Sequence, residues 1–103
     1  MKGIGEENVI KMAPRISECI FEITGCPKEH IEIEELEVKA VKGNQLTKPN
    51  PFIEIYWFDR GQEQADKVAK SITEIAKDNG IDNIDIAFIL FSRNLYYENG
   101  EHF

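Results

Sequence analysis

Two apolar stretches separated by a helical pattern constrain the fold of this chain more than any other feature. Phe52–Phe58 is almost wholly apolar, rich in β-branched and aromatic residues, and predicts a strand. Residues 84–92 predict another, and their unbroken apolar run over residues 86–91 favours burial on both faces. Between them, Gln62–Asp78 carries apolar residues three and four apart, which predicts an amphipathic helix. Strand, helix and strand in this order indicate a right-handed parallel crossover unit.

The amino-terminal half repeats this pattern with its first strand cut short. Residues 6–23 have the helical period, and Gly25 is placed as a left-handed carboxyl-terminal cap. Pro14 predicts a kink or a restart inside this helix, because proline removes one backbone hydrogen bond. Only residues 1–5 precede the helix, so an opening strand is short or missing.

The segment after this helix alternates as a strand does, but its phase changes. Residues 31–41 place their apolar side chains at odd positions first and at even positions later, and adjacent Glu34 and Glu35 mark the change. One extra residue restores the register, so a strand with a β-bulge is predicted. Residues 43–51, rich in Gly, Asn and Pro, predict a loop or a loop with a short edge strand.

These elements predict an α/β protein (α+β by some schemes), formed as one domain over residues 1–103. Two βαβ units would form a mixed four-stranded sheet with both helices on one face, the first strand being short or missing. Asp59 is the expected cap before the second helix and Asn79 with Gly80 its end. Asn99 with Gly100 predicts a tight turn in the tail.

Charge and composition exclude several functional classes. The net charge is −7 and no basic run occurs, which opposes binding to nucleic acid or to anionic membranes. No stretch is long and apolar enough for a membrane span. Two cysteines, Cys19 and Cys26, give no disulfide framework and indicate the reducing cytoplasm. Two scattered His and two Cys give no metal-ligand spacing, and no cofactor is expected.

Three short words resemble the tautomerase superfamily, in its macrophage migration inhibitory factor-like and 4-oxalocrotonate tautomerase-like branches. Residues 24–33 read Thr-Gly-Cys-Pro-Lys-Glu-His-Ile-Glu-Ile, similar to the helix-to-strand corner of the former branch. Residues 57–63, Trp-Phe-Asp-Arg-Gly-Gln-Glu, and residues 96–103, Tyr-Tyr-Glu-Asn-Gly-Glu-His-Phe, look closer to an uncharacterised bacterial branch. The resemblance covers nearly the whole chain from Gly3 onward. It implies keto–enol tautomerisation or isomerisation of small keto or enol acids.

The chain departs from that family at the residue that does its chemistry. Family members begin Met-Pro, and the proline amine acts as the general base once Met is removed. Lys2 stands at that position here, and its size opposes removal of Met1, so the amine of Met1 is the only, weak, candidate base. Two explanations stay open: the recorded start is too late, which we favour slightly because a sheet without its opening strand exposes an edge, or the strand and its base are lost.

Topology predicts where a pocket would lie. The resemblance implies that the start of the first strand lies beside the end of Phe52–Phe58, and a parallel crossover brings the strand at residues 31–41 to the same end. Arg60 is the leading candidate, since its guanidinium and the free N–H groups of the helix that follows suit a carboxylate, although a structural pairing with Asp59 is an equal alternative. The other candidate binding residues are Lys28 and His30, with Arg93 and Tyr96 supplied by a neighbouring subunit.

Three functional hypotheses follow. The first is a tautomerase or isomerase with Arg60 as the carboxylate-binding residue. The second is a non-catalytic, homo-oligomeric ligand-binding protein of the same fold, and the third is a ferredoxin-like regulatory module, whose strand order interleaves the two units. A homotrimer is expected because two helices cover only one face of the sheet, while both faces carry apolar side chains. The resemblance implies the threefold geometry and a tail that reaches a neighbour from Tyr96.

Overall fold

A computed structural model describes all 103 residues, and it consists of two helices packed on each other and on a pair of parallel strands. The two helices are amphipathic, and their apolar stripes meet between them and the strands. Short hairpins and single-turn 3₁₀ helices (Lys28–His30 and Arg93–Leu95) connect or follow the main elements. In chain order the helices and strands are α1 Glu6–Thr24, β1 Ala40–Lys42, β2 Gln45–Thr47, β3 Phe52–Phe58, α2 Gln62–Asp78, β4 Asp85–Phe91, β5 Tyr97–Glu98 and β6 Glu101–His102.

The second βαβ unit forms as the sequence predicts. β3 and β4 pair in parallel, from Phe52 opposite Asp85 to Phe58 opposite Phe91, and α2 connects them. In the interleaved order of a ferredoxin-like module these two strands would not be neighbours. The adjacency of β3 and β4 therefore argues against that alternative, and the α+β fold class is confirmed.

The first unit is reduced to isolated bridges. Lys2 exchanges two backbone hydrogen bonds of 2.9 Å with Phe52 in antiparallel register, and it forms a parallel bridge with Leu36. The amino terminus therefore lies beside the beginning of β3, and the prediction that it lies beside the end of β3 is wrong. An antiparallel neighbour reaches the end of β3 only when several residues precede Met1 in the strand.

The predicted strand with a bulge over residues 31–41 is also not present as a regular strand. Only Leu36 bridges within residues 31–39, and residues 40–42 pair instead with β2 in a hairpin. The alternation of these residues marks an extended backbone, but a ladder also needs a neighbour. The opening strand, which would be that neighbour, ends at Met1, so residues 31–35 remain extended and unpaired.

The helices confirm most of their predicted features. α1 runs through Pro14 without a restart, and Gly25 follows it in the left-handed conformation (φ 77°), its N–H donating to the carbonyl of Phe21 at 2.8 Å. The cap of α2 is Gly61 rather than the predicted Asp59. Neither helix combines the length and the apolar character needed to cross a lipid bilayer.

The core lies between the two helices and one face of the strands. Met12, Val68 and Ile72 are completely buried there, and Ile53 and Trp57 contribute from β3. The other strand residues are less protected, and in this single chain the β4 run is not buried on both faces: its side chains are partly exposed, Leu90 by 54%. The tail forms the predicted turn, with Asn99 and Gly100 at positive φ between β5 and β6.

Candidate functional site

A cavity of about 430 Å³ lies between β3 and the extended residues 31–36. Ile16, Ile20 and Ile72 from the two helices contribute to its lining, and 14 of its 20 lining residues are hydrophobic. We call this cavity the slot, because it occupies the space that a strand extended upstream of Met1 would fill. Its apolar lining favours a ligand that is apolar or amphipathic.

The amino terminus closes one end of the slot. The amine of Met1 donates to the carbonyl of Glu34 at 2.7 Å, and the carbonyl of Met1 accepts from the N–H of Leu36 at 2.8 Å. Burial lowers the pKa of this amine below its ordinary value of 8.0, although the nearby carboxylates of Glu54, Glu34 and Glu35 oppose the shift. The sequence-based expectation of a flexible end with an ordinary pKa is therefore wrong.

A polar cluster lies beside the amino terminus. The carboxylate of Glu54 accepts a hydrogen bond from the Tyr56 hydroxyl at 2.9 Å and pairs with the ammonium of Lys2 at 3.1 Å. These two partners lower the pKa of Glu54, and the same hydrogen bond raises the pKa of Tyr56. The sequence reasoning missed this cluster. Spacing of two within a strand puts Glu54 and Tyr56 on one face, but nothing local indicates that Lys2 joins them.

Arg60 lines the slot beyond the carboxyl end of β3. Its guanidinium carbon lies 5.9 Å from the centre of the Trp57 ring, and no carboxylate lies within ion-pairing distance of it. Asp59 turns away from Arg60: its Oδ1 atom accepts the N–H of Gly61 at 2.9 Å and holds the turn that leads into α2. His30 and Cys26 line the slot with Arg60.

The remaining predicted binding residues lie outside the slot. Lys28 pairs with Glu18 on α1, and its ammonium lies 5.5 Å from the centre of the Phe21 ring. Arg93 lies over the ring of Phe58 at 4.7 Å, and Tyr96 packs on the same ring at 5.3 Å. Of the six side chains predicted to bind a ligand, the structure therefore brings Arg60 and His30 together and separates the other four from them.

Register gives the length of the slot. Since Lys2 pairs with Phe52, Met1 lies opposite Ile53, whereas the Arg60 guanidinium lies over Trp57. Ile53 and Trp57 are four strand residues apart, or about 13 Å along the strand. The amine of Met1 and the Arg60 guanidinium are thus separated by much more than the length of a three-carbon acid.

The family model described as "Domain of unknown function (DUF1904)" matches residues 1–102. The chain belongs to this family. A DUF1904 domain from Sebaldella termitidis has a similar structure at 30% sequence identity, with a TM-score of 0.89, and the alignment covers 99% of this chain and 94% of that one. No curated protein matches the chain.

Two more distant structural neighbours of this DUF1904 protein belong to the tautomerase superfamily. One is Pt0534, in a structure inactivated by 2-oxo-3-pentynoate, at 14% identity and a TM-score of 0.73, covering 95% of this chain and 85% of that one. The other is N1, a member of the cis-3-chloroacrylic acid dehalogenase family, at 12% identity and a TM-score of 0.71, covering 97% and 76%. At these identities the likeness establishes the fold. It supports the superfamily resemblance and does not single out a branch.

Proposed function

We propose that this DUF1904 protein binds a small carboxylic acid through Arg60. The carrying observation is that the Arg60 guanidinium has no carboxylate partner and lies against Trp57 in a largely apolar cavity. A guanidinium binds a carboxylate through two parallel hydrogen bonds, and these bonds are strongest where water is scarce. The names of two structural neighbours support a ligand of this class, since 2-oxo-3-pentynoate inactivates one and the family of the other is named for cis-3-chloroacrylic acid.

Proton transfer through the amino terminus is not part of this proposal. A general base must come within hydrogen-bond reach of the proton that it removes. The amine of Met1 lies about 13 Å along the strand from the position of the Arg60 guanidinium. A small 2-oxo acid held by Arg60 does not reach the amine, so we expect little or no tautomerase turnover.

A tautomerase that uses the Met1 amine is the second candidate. The observation in its favour is that the amine is held in the slot by Glu34 and that burial lowers its pKa, as a base working near neutral pH requires. This candidate needs a substrate long enough to reach both ends of the slot. Turnover of phenylpyruvate-type or 2-hydroxydienoate-type acids that disappears on acetylation of the terminus would favour it over simple binding.

Replacement of Arg60 by Ala tests the proposal. One charge-assisted contact contributes about 1.5–3 kcal/mol, so affinity for phenylpyruvate measured by calorimetry should fall by about tenfold or more. Lys28→Ala is the matched control, since it removes a cation that Glu18 and not the slot engages, and it should bind as the wild type does. If Arg60→Ala loses thermal stability and keeps its affinity, Arg60 has a structural role and the proposal fails.

We also propose that the protein assembles as a homotrimer. The face of β3 turned away from the helices carries Tyr56, which is 55% exposed, and Leu90 on the neighbouring strand is 54% exposed. Apolar patches of this kind mark association surfaces in soluble proteins. Light scattering should give three times the 11.8 kDa mass of the chain, and a stable monomer at micromolar concentration would contradict the proposal.

A further inference from the structure

The slot has an unpaired strand edge on each side. β3 pairs with β4 on one side only, and beyond Phe52 its other edge has no neighbour. Across the slot, the N–H groups of residues 32–35 make no backbone hydrogen bond. Met1 and Lys2 lie between the two edges at one end, so the edges are two strand spacings, or about 10 Å, apart. One further extended strand fits between them.

The contacts of the amino terminus fix how such a strand would pair. Lys2 bonds to β3 through both its backbone groups, while Met1 bonds to Glu34 and Leu36 on the other side. Since these directions alternate along a strand, the backbone groups of Glu54 and Tyr56 point into the slot from β3. Those of Glu32 and Glu34 point into it from the opposite edge. A strand that continues upstream from Met1 meets unsatisfied groups on both sides.

We propose that the slot binds the carboxyl-terminal end of an extended peptide as an added β-strand, antiparallel to β3 and parallel to residues 31–35. Unpaired edges of this kind bind extended chains through backbone hydrogen bonds. The terminal carboxylate of the peptide would lie against the ammonium group of Met1, which closes that end of the slot. An interior peptide segment lacks this charge, so the free carboxyl end is the preferred occupant.

Side-chain parity gives the sequence preference. Met1 packs against the core, whereas Lys2 reaches Glu54 on the other face. The last residue of the peptide would therefore point away from the core, and the second and fourth residues from its end would point toward the apolar side chains of Ile16, Ile20 and Ile72. The slot should select apolar residues at those two positions and tolerate polar residues at the other two.

This proposal is independent of the carboxylic acid at Arg60, because it depends on the two backbone edges and on the end of the slot at Met1. The Arg60→Ala calorimetry reports the small acid. Peptide binding is measured separately, by fluorescence anisotropy and amide hydrogen exchange.

The probe is a labelled tetrapeptide, Ile-Thr-Val-Thr, with a free carboxyl end. We expect saturable binding and increased protection of the amides of Glu32, Glu34, Glu54 and Tyr56. Three analogues serve as controls: the parity-shifted Thr-Ile-Thr-Val, the carboxyl-terminal amide, and a peptide N-methylated on the first Thr, whose N–H faces β3. The amide should bind about tenfold or more weakly, because it lacks the charge-assisted contact. The N-methyl analogue should lose about three- to tenfold for its missing backbone bond.

Three results would overturn the proposal. Equal affinity for the parity-shifted peptide would mean that side chains are not read in this register, and absence of saturable binding up to millimolar peptide would mean that the slot does not accept a strand. Protection of Glu32 and Glu34 before any peptide is added would mean that another segment fills the slot. If that protection appears only at high protein concentration, the occupant is a second copy of the chain.

Discussion

Gly3 determines how the amino terminus is anchored, and its replacement by Ala should detach that anchor. Gly3 has φ +73°, a conformation that residues with a Cβ rarely adopt. A Cβ atom at this position would lie 2.4 Å from the carbonyl oxygen of Asn50 and 2.9 Å from that of Pro49. Both contacts are with backbone, so no side-chain rotation relieves them.

The expected cost has two parts. The left-handed conformation costs a residue with a Cβ about 1–2 kcal/mol. Forcing extra volume into a packed site typically costs a further 1–3 kcal/mol or so. Gly3→Ala should therefore lower the free energy of unfolding by about 2–5 kcal/mol. Gly25→Ala is the matched control, because Gly25 has φ +77° but a Cβ added there would meet no atom within 4 Å, so only the first part applies.

Urea denaturation of both variants measures this difference. A second measurement reports the anchor itself: the pKa of the Met1 amine, followed by NMR, should return toward 8.0 in Gly3→Ala because water regains access to the amine. It should stay lowered in Gly25→Ala. Equal losses of stability in the two variants, or an unchanged amine pKa in Gly3→Ala, would refute the close approach of Gly3 to residues 49–50.

Three further predictions concern the core, the turn before α2 and the amino terminus. Ile72→Ala should lower the free energy of unfolding by about 2–5 kcal/mol, since Ile72 is fully buried, whereas Leu90→Ala in a monomeric preparation should change it by less than about 1 kcal/mol; urea midpoints check both. Asp59→Ala should lose about 0.5–1.5 kcal/mol with the hydrogen bond to Gly61, and Asp59→Asn, which keeps the acceptor, should retain most of it in the same assay. The lowered pKa of the Met1 amine means that the folded chain releases this proton more readily than the unfolded chain does, so stability should rise with pH up to about 8; a chain acetylated at its terminus should lack this part of the pH dependence in parallel titrations.

Local periodicity was sufficient where an element depends on its own residues. The predicted bounds of α2 and β3 agree with the structure, and α1 ends one residue later than predicted, at the left-handed Gly25. Each of these elements has an apolar stripe or run that must be buried, and each is bounded by residues that cannot continue it. The same reasoning placed Arg60 directly after a buried strand, where it lines the slot.

Prediction failed where an element depends on a distant partner. Residues 31–35 have the alternation of a strand, yet they remain unpaired because the first strand stops at Met1. Lys28 and Asp59 lie close in sequence to His30 and Arg60, but Glu18 engages the first and the N–H of Gly61 the second. Short-range competition of this kind depends on side-chain positions that spacing alone does not specify.

The sequence by itself determined the helices, the parallel strand pair and the fold class, because hydrophobic burial imposes a period that is visible along the chain. Tertiary structure alone decided the site. Pairing of Lys2 with both Phe52 and Leu36 places the Met1 amine at one end of an open strand position and leaves Arg60 at the other. Those contacts join residues that are tens of positions apart, and their register follows from backbone hydrogen bonding, which all residue types share and which leaves little trace in the sequence.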